Sequence, residues 1–136
     1  MPPTVYPELS GGIVLCIDDN QDVLECERAF LETFGFAVLT APSSDKGLEL
    51  ASFYSVDVVV LGYFMPRMNG EEVAIELRRL RPQAHIILLT EGHGIPEPAL
   101  NLADALVAKD RLASQLLPTI AYLQGSGRLS PASYDA

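Results

Sequence analysis

Five short apolar runs punctuate the chain: Ile13 to Ile17, Ala37 to Leu39, Val58 to Leu61, Ile86 to Leu89 and Leu106 to Ala108. Each is too short for a helix and too uniformly apolar for a half-exposed sheet, which is the pattern of parallel strands buried on both faces. Parallel strands need crossover helices, and the segments between the runs supply them. After the first run, Asp19 or Asn20 is placed to cap a helix whose Val23, Leu24, Phe30, Leu31 and Phe34 share one stripe, with Gly35 to stop it. The second helix is expected over Ser43 to Phe53, capped by Ser43 or Ser44, with Leu48, Leu50 and Ala51 against the sheet. The third starts near Asn69-Gly70 and carries Val73, Ile75, Leu77 and Leu80. Its closing Arg78, Arg79 and Arg81 suit a solvated, negative helix end, and Pro82 prevents continuation. The fourth is weak, because Gly92, Gly94, Pro96 and Pro98 leave little more than Ala99 to Ala103. The last is expected to start with Asp110 as its cap and to run to about Leu123.

Five strands alternating with helices predict an α/β fold of one domain: a five-stranded, doubly wound parallel sheet of the flavodoxin-like order 2-1-3-4-5. Residues 1–10 read as an N-terminal extension, 11–124 as the domain and 125–136 as a flexible tail. In such sheets the functional crevice lies outside the carboxyl ends of the strands.

Composition narrows the function. With 136 residues, 49% apolar, the chain suits one compact domain. Its 18 acidic residues against 9 basic ones give a formal charge of -9, which repels a phosphate backbone or an anionic lipid surface. Direct nucleic-acid and membrane binding are therefore not expected. Cys16 and Cys26 lack CxxC spacing and read as small buried hydrophobes in a reducing cytoplasm. The N-terminal segment has neither the basic nor the apolar region of a signal peptide, and no apolar run is long enough to span a bilayer.

The residues standing at the strand ends are Asp18-Asp19, Thr40, Gly62, Thr90 and Lys109. Two adjacent carboxylates repel each other unless a cation sits between them, so Asp18-Asp19 is a candidate half-site for a divalent metal. A turn with a helix cap explains the same pair equally well. A Thr hydroxyl and a Lys ammonium at the same rim add donors for a phosphoryl oxygen, although each alone suits a strand-end turn or a counter-ion.

The segments IVLCIDDN, VDVVVLGYFMPRMNG, IILLT and ALVAKD, in that order, resemble the motifs of bacterial two-component response-regulator receiver domains, including the chemotaxis receiver. The resemblance covers roughly Gly11 to Leu123. It implies a cytoplasmic signalling protein, not an enzyme, whose partners are a sensor histidine kinase or a downstream signalling protein, as a monomer or weak dimer. It implies that Asp18 and Asp19, with the backbone carbonyl of Phe64, form the magnesium site, with Asp19 a direct ligand. Thr90 matches the hydroxyl residue that reorients towards the phosphoryl group, and Lys109 the Lys that contacts it. The fourth helix, fifth strand and fifth helix are the implied contact face.

Departures from the pattern shape the expectation. Counted back from Met65-Pro66, the family's phosphoacceptor Asp falls at Gly62, which has no side chain to act as a nucleophile. Loss of that carboxylate takes the pocket from -2 to -1 with Lys109 counted, which leaves room only for weak Mg2+ binding, and Lys109 is free to pair with Asp18 or Asp19. Leu106 replaces the switch aromatic, and Asp110 replaces the usual Pro after the Lys, favouring a trans bond. Tyr63 is placed to fill the pocket mouth or to meet a partner, and His85 and His93 read as surface or edge residues. The expectation is a stand-alone receiver-like protein of a phosphorelay system, a pseudo-receiver acting by contacts without aspartyl phosphorylation. A silent Gly62 variant of an active regulator is the alternative. A flavodoxin-like cofactor protein is a minor one, because Asp18-Asp19 would repel an FMN phosphate.

Overall fold

The computed structural model describes residues 12–63, 65, 69–91 and 95–125. Strands β1 (Ile13–Ile17), β2 (Ala37–Ala41), β3 (Val58–Gly62), β4 (His85–Thr90) and β5 (Ala105–Ala108) form one parallel sheet in the order β2-β1-β3-β4-β5. The crossovers are α1 (Gln21–Thr33), α2 (Ser44–Phe53), α3 (Gly70–Leu80) and α4 (Glu97–Leu102), and α5 (Leu112–Gln124) closes the domain. This is the predicted doubly wound sheet. Alternate residues of each strand point to opposite faces. Val14, Cys16, Val58, Val60, Ile87, Leu89 and Val107 meet α1 and α5, whereas Leu15, Ile17, Val59, Leu61, Ile86 and Leu88 meet α2, α3 and α4. Full burial of side chains of this size contributes about 1.5–3 kcal/mol each, which is why such short runs specify the sheet.

The helices start where local chemistry satisfies their first amides. Asn20 caps α1, its side chain accepting from Asp22 and Val23 at 2.9 and 3.2 Å, and Ser43 caps α2 by accepting from Lys46 at 3.2 Å. Asn69 and Glu72 form a reciprocal capping box at the start of α3. Gly35, placed by the sequence to stop α1, takes the left-handed conformation there, with φ 93°.

Several expectations are corrected. Helix α4 begins at Glu97, two residues early, because Pro98 falls in the first turn, where a missing amide costs nothing. Asp110 is not the cap of α5: Lys109–Arg111 forms a 3-10 turn, Arg111 takes the cap position, and no side-chain cap bond is made. Cys16 is buried but Cys26 is exposed, as is Ile75, at 48%. Ile75 lies about 200° around the helix from Val73, so both cannot face the sheet. Arg78 and Arg81 are not a solvated helix end. Arg78 donates to Ala84 O at 2.8 Å and Leu102 O at 3.1 Å and pairs with Asp104 at 2.7 Å, and Arg81 Nε donates to Ala51 O at 2.8 Å and Tyr54 O at 3.1 Å. No described peptide bond is cis, in keeping with the expectation after Lys109. The expected extension, most of the expected tail, Phe64 and His93 lie outside the described residues. Among the described residues, no helix is long and apolar enough to cross a membrane.

Candidate functional site

Parallel pairing brings the carboxyl ends of β1, β3, β4 and β5 to one rim. Register sets Ile17 beside Leu61, Gly62 beside Leu89, and Thr90 beside Ala108. The residues that follow, Asp18 and Lys109, therefore arrive with Gly62 and Thr90 at a common crevice. Asp18 has the same parity as Cys16, and Gly62 the same as Val58 and Val60, so both belong to the α1/α5 side.

Asp18 is only 1% exposed. Its Oδ1 accepts from the Asn20 amide at 2.9 Å, so the acid shapes the turn into α1. Its Oδ2 lies 3.3 Å from Lys109 Nζ, close enough for charge attraction, but has no aligned hydrogen bond. Lys109 also reaches Glu91 Oε2 at 3.8 Å, beside an open recess of about 300 Å³ lined by Glu91, Ala108, Lys109 and Asp110. Of the two partners open to Lys109 in the sequence, Asp18 is the one it meets.

Gly62 explains how Asp18 fits. A Cβ at this position would lie 2.6 Å from Asp18 Oδ2 and 3.2 Å from Asp18 Cγ. The Asp18 carboxylate thus fills the space into which a side chain at Gly62 would project. Asp19, next in the chain, is solvent-exposed. Thr90 is half-buried at the end of β4. Thr40, at the end of β2, accepts a 2.9 Å bond from Arg28 and so belongs to the packing of α1. Tyr63 does not fill the pocket mouth. It is 5% exposed and lies under the first turn of α3, whose Gly70 amide donates to Tyr63 O; a Cβ on Gly70 would come within 2.8 Å of Tyr63 Cα. Leu106 is 47% exposed on β5.

The residue that sequence reasoning missed is Glu27. It is 2% exposed, and neither carboxyl oxygen has a hydrogen bond of ordinary geometry. Burial first, and the Asp18 charge second, push its carboxyl up to about 8; the Cys16 thiol, a poorly aligned weak donor, and the Lys109 charge oppose this. A neutral acid therefore sits at pH 7 beneath the Asp18–Lys109 pair. The signal was present: Glu27 is three residues after Leu24 and four before Leu31, inside the apolar stripe of α1.

Among the described residues, no group of three or more His, Cys, Asp or Glu side chains is placed to hold a metal ion. Among the described residues, a divalent ion at this rim would have the Asp18 and Asp19 carboxylates plus water, and would compete with Lys109 for the first. The donor set thus suits weak binding of a hard cation.

Comparison with known proteins bears on the same residues. The family model described as the response regulator receiver domain matches residues 14–112. The response regulator SaeR of Staphylococcus aureus is 31% identical over 77 residues, which are 57% of this chain and 33% of that protein, so the match spans about a third of the relative. The crystal structure of a CheY-like receiver domain protein from Methanospirillum hungatei superposes with a TM-score of 0.79 at 26% identity, covering 85% of this chain and 94% of that one. The response regulator TrrA from Thermotoga maritima, solved in complex with Mg(2+)-BeF, gives a TM-score of 0.76 at 29% identity over 82% of this chain and 98% of its own.

Proposed function

This chain belongs to the response regulator receiver family, and we propose that it is a receiver-like signalling protein of a two-component phosphorelay that works through protein contacts without aspartyl phosphorylation. The observation that carries the reading is the crevice at Gly62. The residue there has no nucleophile, and the space a side chain would take is filled by the Asp18 carboxylate, 2.6 Å from a Cβ built at that glycine. A phosphoryl group offered to this rim meets Lys109 already paired with Asp18.

Asp18 and Asp19, with the Phe64 carbonyl implied by the resemblance, would hold a weakly bound Mg2+, whose role would be to neutralise charge at the rim. Thr90 and Lys109 are remnants of a phosphoryl site. In this reading the protein is a cytoplasmic, non-enzymatic monomer or weak dimer. It meets a sensor histidine kinase or a downstream signalling protein, and not nucleic acid or membrane. Leu100, Leu106 and Tyr122, all exposed on α4, β5 and α5, support that face as the point of contact, with a groove of about 230 Å³ lined by Leu100, Ala103, Asp104, Ala105 and Leu106.

The test compares the parent chain with Gly62→Asp, incubated with acetyl phosphate and Mg2+ and read by intact mass. A phosphoryl adduct is expected on the variant alone. An acid-labile adduct on the parent chain overturns the reading.

A further inference from the structure

We propose that Asp18 is a positioning residue for Lys109: because Gly62 leaves the volume open, the Asp18 carboxylate closes into it and holds the Lys109 ammonium at the end of β5. The inference rests on reading the crevice as one that runs without aspartyl phosphorylation, and it names what holds the crevice in place of a phosphoryl group.

Three observations converge on it. Asp18 is almost fully buried, yet its Oδ2 has no hydrogen bond, so Lys109 at 3.3 Å is the cation that offsets its charge. That same oxygen is the atom nearest to a Cβ built on Gly62, at 2.6 Å, closer than any real Cβ contact allows. The next two atoms are Asp18 Cγ at 3.2 Å and the Ile17 carbonyl at 3.6 Å, so Asp18 is what a side chain at position 62 would meet first. Finally, Lys109 opens the 3-10 turn that leads into α5. Fixing its ammonium therefore fixes the join between β5 and α5, a stretch that has no side-chain cap bond of its own. Glu91 is the other acid on Lys109, but at 3.8 Å and 67% side-chain exposure it is a screened partner. The Asp18–Lys109 pair is a self-neutralised lock. A cation reaching Asp18 displaces Lys109, and an anion reaching Lys109 displaces Asp18.

The lock predicts coupling between residues 18 and 62 that a simple glycine turn would not produce. The experiment builds Gly62→Ala, Asp18→Ala and the double variant, with Asp18→Asn as a shape-preserving control without the charge, its fold checked by circular dichroism. Stability comes from urea unfolding, and the state of Lys109 from its rate of acylation by acetic anhydride, mapped by peptide mass. Gly62→Ala is expected to lower the urea midpoint clearly in the parent and little in the Asp18→Ala background, since the atoms it strikes are then gone. Acylation of Lys109 is expected to rise about fivefold in Asp18→Asn and in Gly62→Ala, as the ion pair is lost. Transferring the carboxylate in the Asp18→Gly, Gly62→Asp double variant is expected to restore slow acylation. An equal midpoint loss from Gly62→Ala in both backgrounds, or unchanged Lys109 acylation in folded Asp18→Asn, overturns the lock. Neither result depends on whether the parent chain accepts phosphate, so this inference and the functional reading fail separately.

Discussion

The two ends of the same sheet handle charge in opposite ways. At the amino end, charged groups are engaged by well-formed bonds. Asp104 Oδ2 takes the Ile86 amide at 2.7 Å and Arg78 at 2.7 Å, Asp57 takes the Ile13 amide at 2.8 Å, and Arg81 closes over the carbonyls that end α2. At the carboxyl end, Asp18 Oδ2 has an ion pair without a hydrogen bond, and Glu27 lies beneath it with neither oxygen satisfied. Partly satisfied buried polar groups lower stability, and they persist where the surrounding fold supports them and a function uses them. The amino end holds the helices to the sheet; the carboxyl end leaves its buried acids short of hydrogen bonds.

The largest test of this contrast is Glu27→Gln. The Glu27 carboxyl titrates at about 8 in the folded chain against 4.5 for an unperturbed group. Between those values the unfolded chain has lost the proton and the folded chain retains it. Folding therefore loses stability as pH rises through this window, and the loss levels off above about 8. The linkage amounts to roughly 3–5 kcal/mol across the window. The amide variant has nothing to titrate there, so its stability relative to the parent should climb from pH 5 to pH 9 in urea unfolding. Parallel pH profiles for the two proteins would remove Glu27 from the account of the carboxyl end.

At the amino end, Asp104→Ala should act through lost hydrogen bonds. It strands the Ile86 amide and one face of the Arg78 guanidinium, for a loss of about 2–3 kcal/mol. Both side chains of the pair are about one-third exposed, so water recovers part of the loss, and the effect should be smaller than at Glu27. Urea unfolding at pH 7 checks this, and no loss there would mean that the bonds at the amino end are no better formed than those at the carboxyl end.

How far the sequence could be read follows the same division. The sheet was legible because Val58–Leu61 and Ile86–Leu89 are apolar without interruption and too short for helices, as strands covered on both faces are. The rim was legible for the same reason: strand ends define it, and Asp18, Gly62, Thr90 and Lys109 all reached it. What a one-dimensional reading lacked was depth. Arg78 and Arg81 read as helix-end charges, because their partners, Asp104 and the carbonyls at the end of α2, lie 26 to 30 residues away in the chain. Glu27 was passed over because a charge in an apolar stripe is masked by the hydrophobes on either side. Ile75 was given to the core on composition, where the angle around α3 puts it in water. Asp110 looked like a cap, but the chain spent that turn on the 3-10 segment that carries Lys109.

The smallest expected effect separates charge held inside from charge offered outside. In Lys109→Met the Asp18 carboxylate loses the cation that offsets it, so the variant should be less stable than the parent in the absence of metal. Asp18 and Asp19 then present two carboxylates with no internal competitor, and Mg2+ becomes the available counter-ion. Raising Mg2+ to ten times its dissociation constant stabilises a folded chain by about 1.4 kcal/mol, so the thermal midpoint of Lys109→Met should rise by several degrees with millimolar Mg2+ while the parent moves less. The difference must disappear in Asp18→Asn, Lys109→Met if Asp18 is the group released. Equal Mg2+ shifts in the parent and in Lys109→Met would mean that Lys109 does not occupy the cation's place, and the carboxyl end would then be an ordinary metal rim with a lysine beside it.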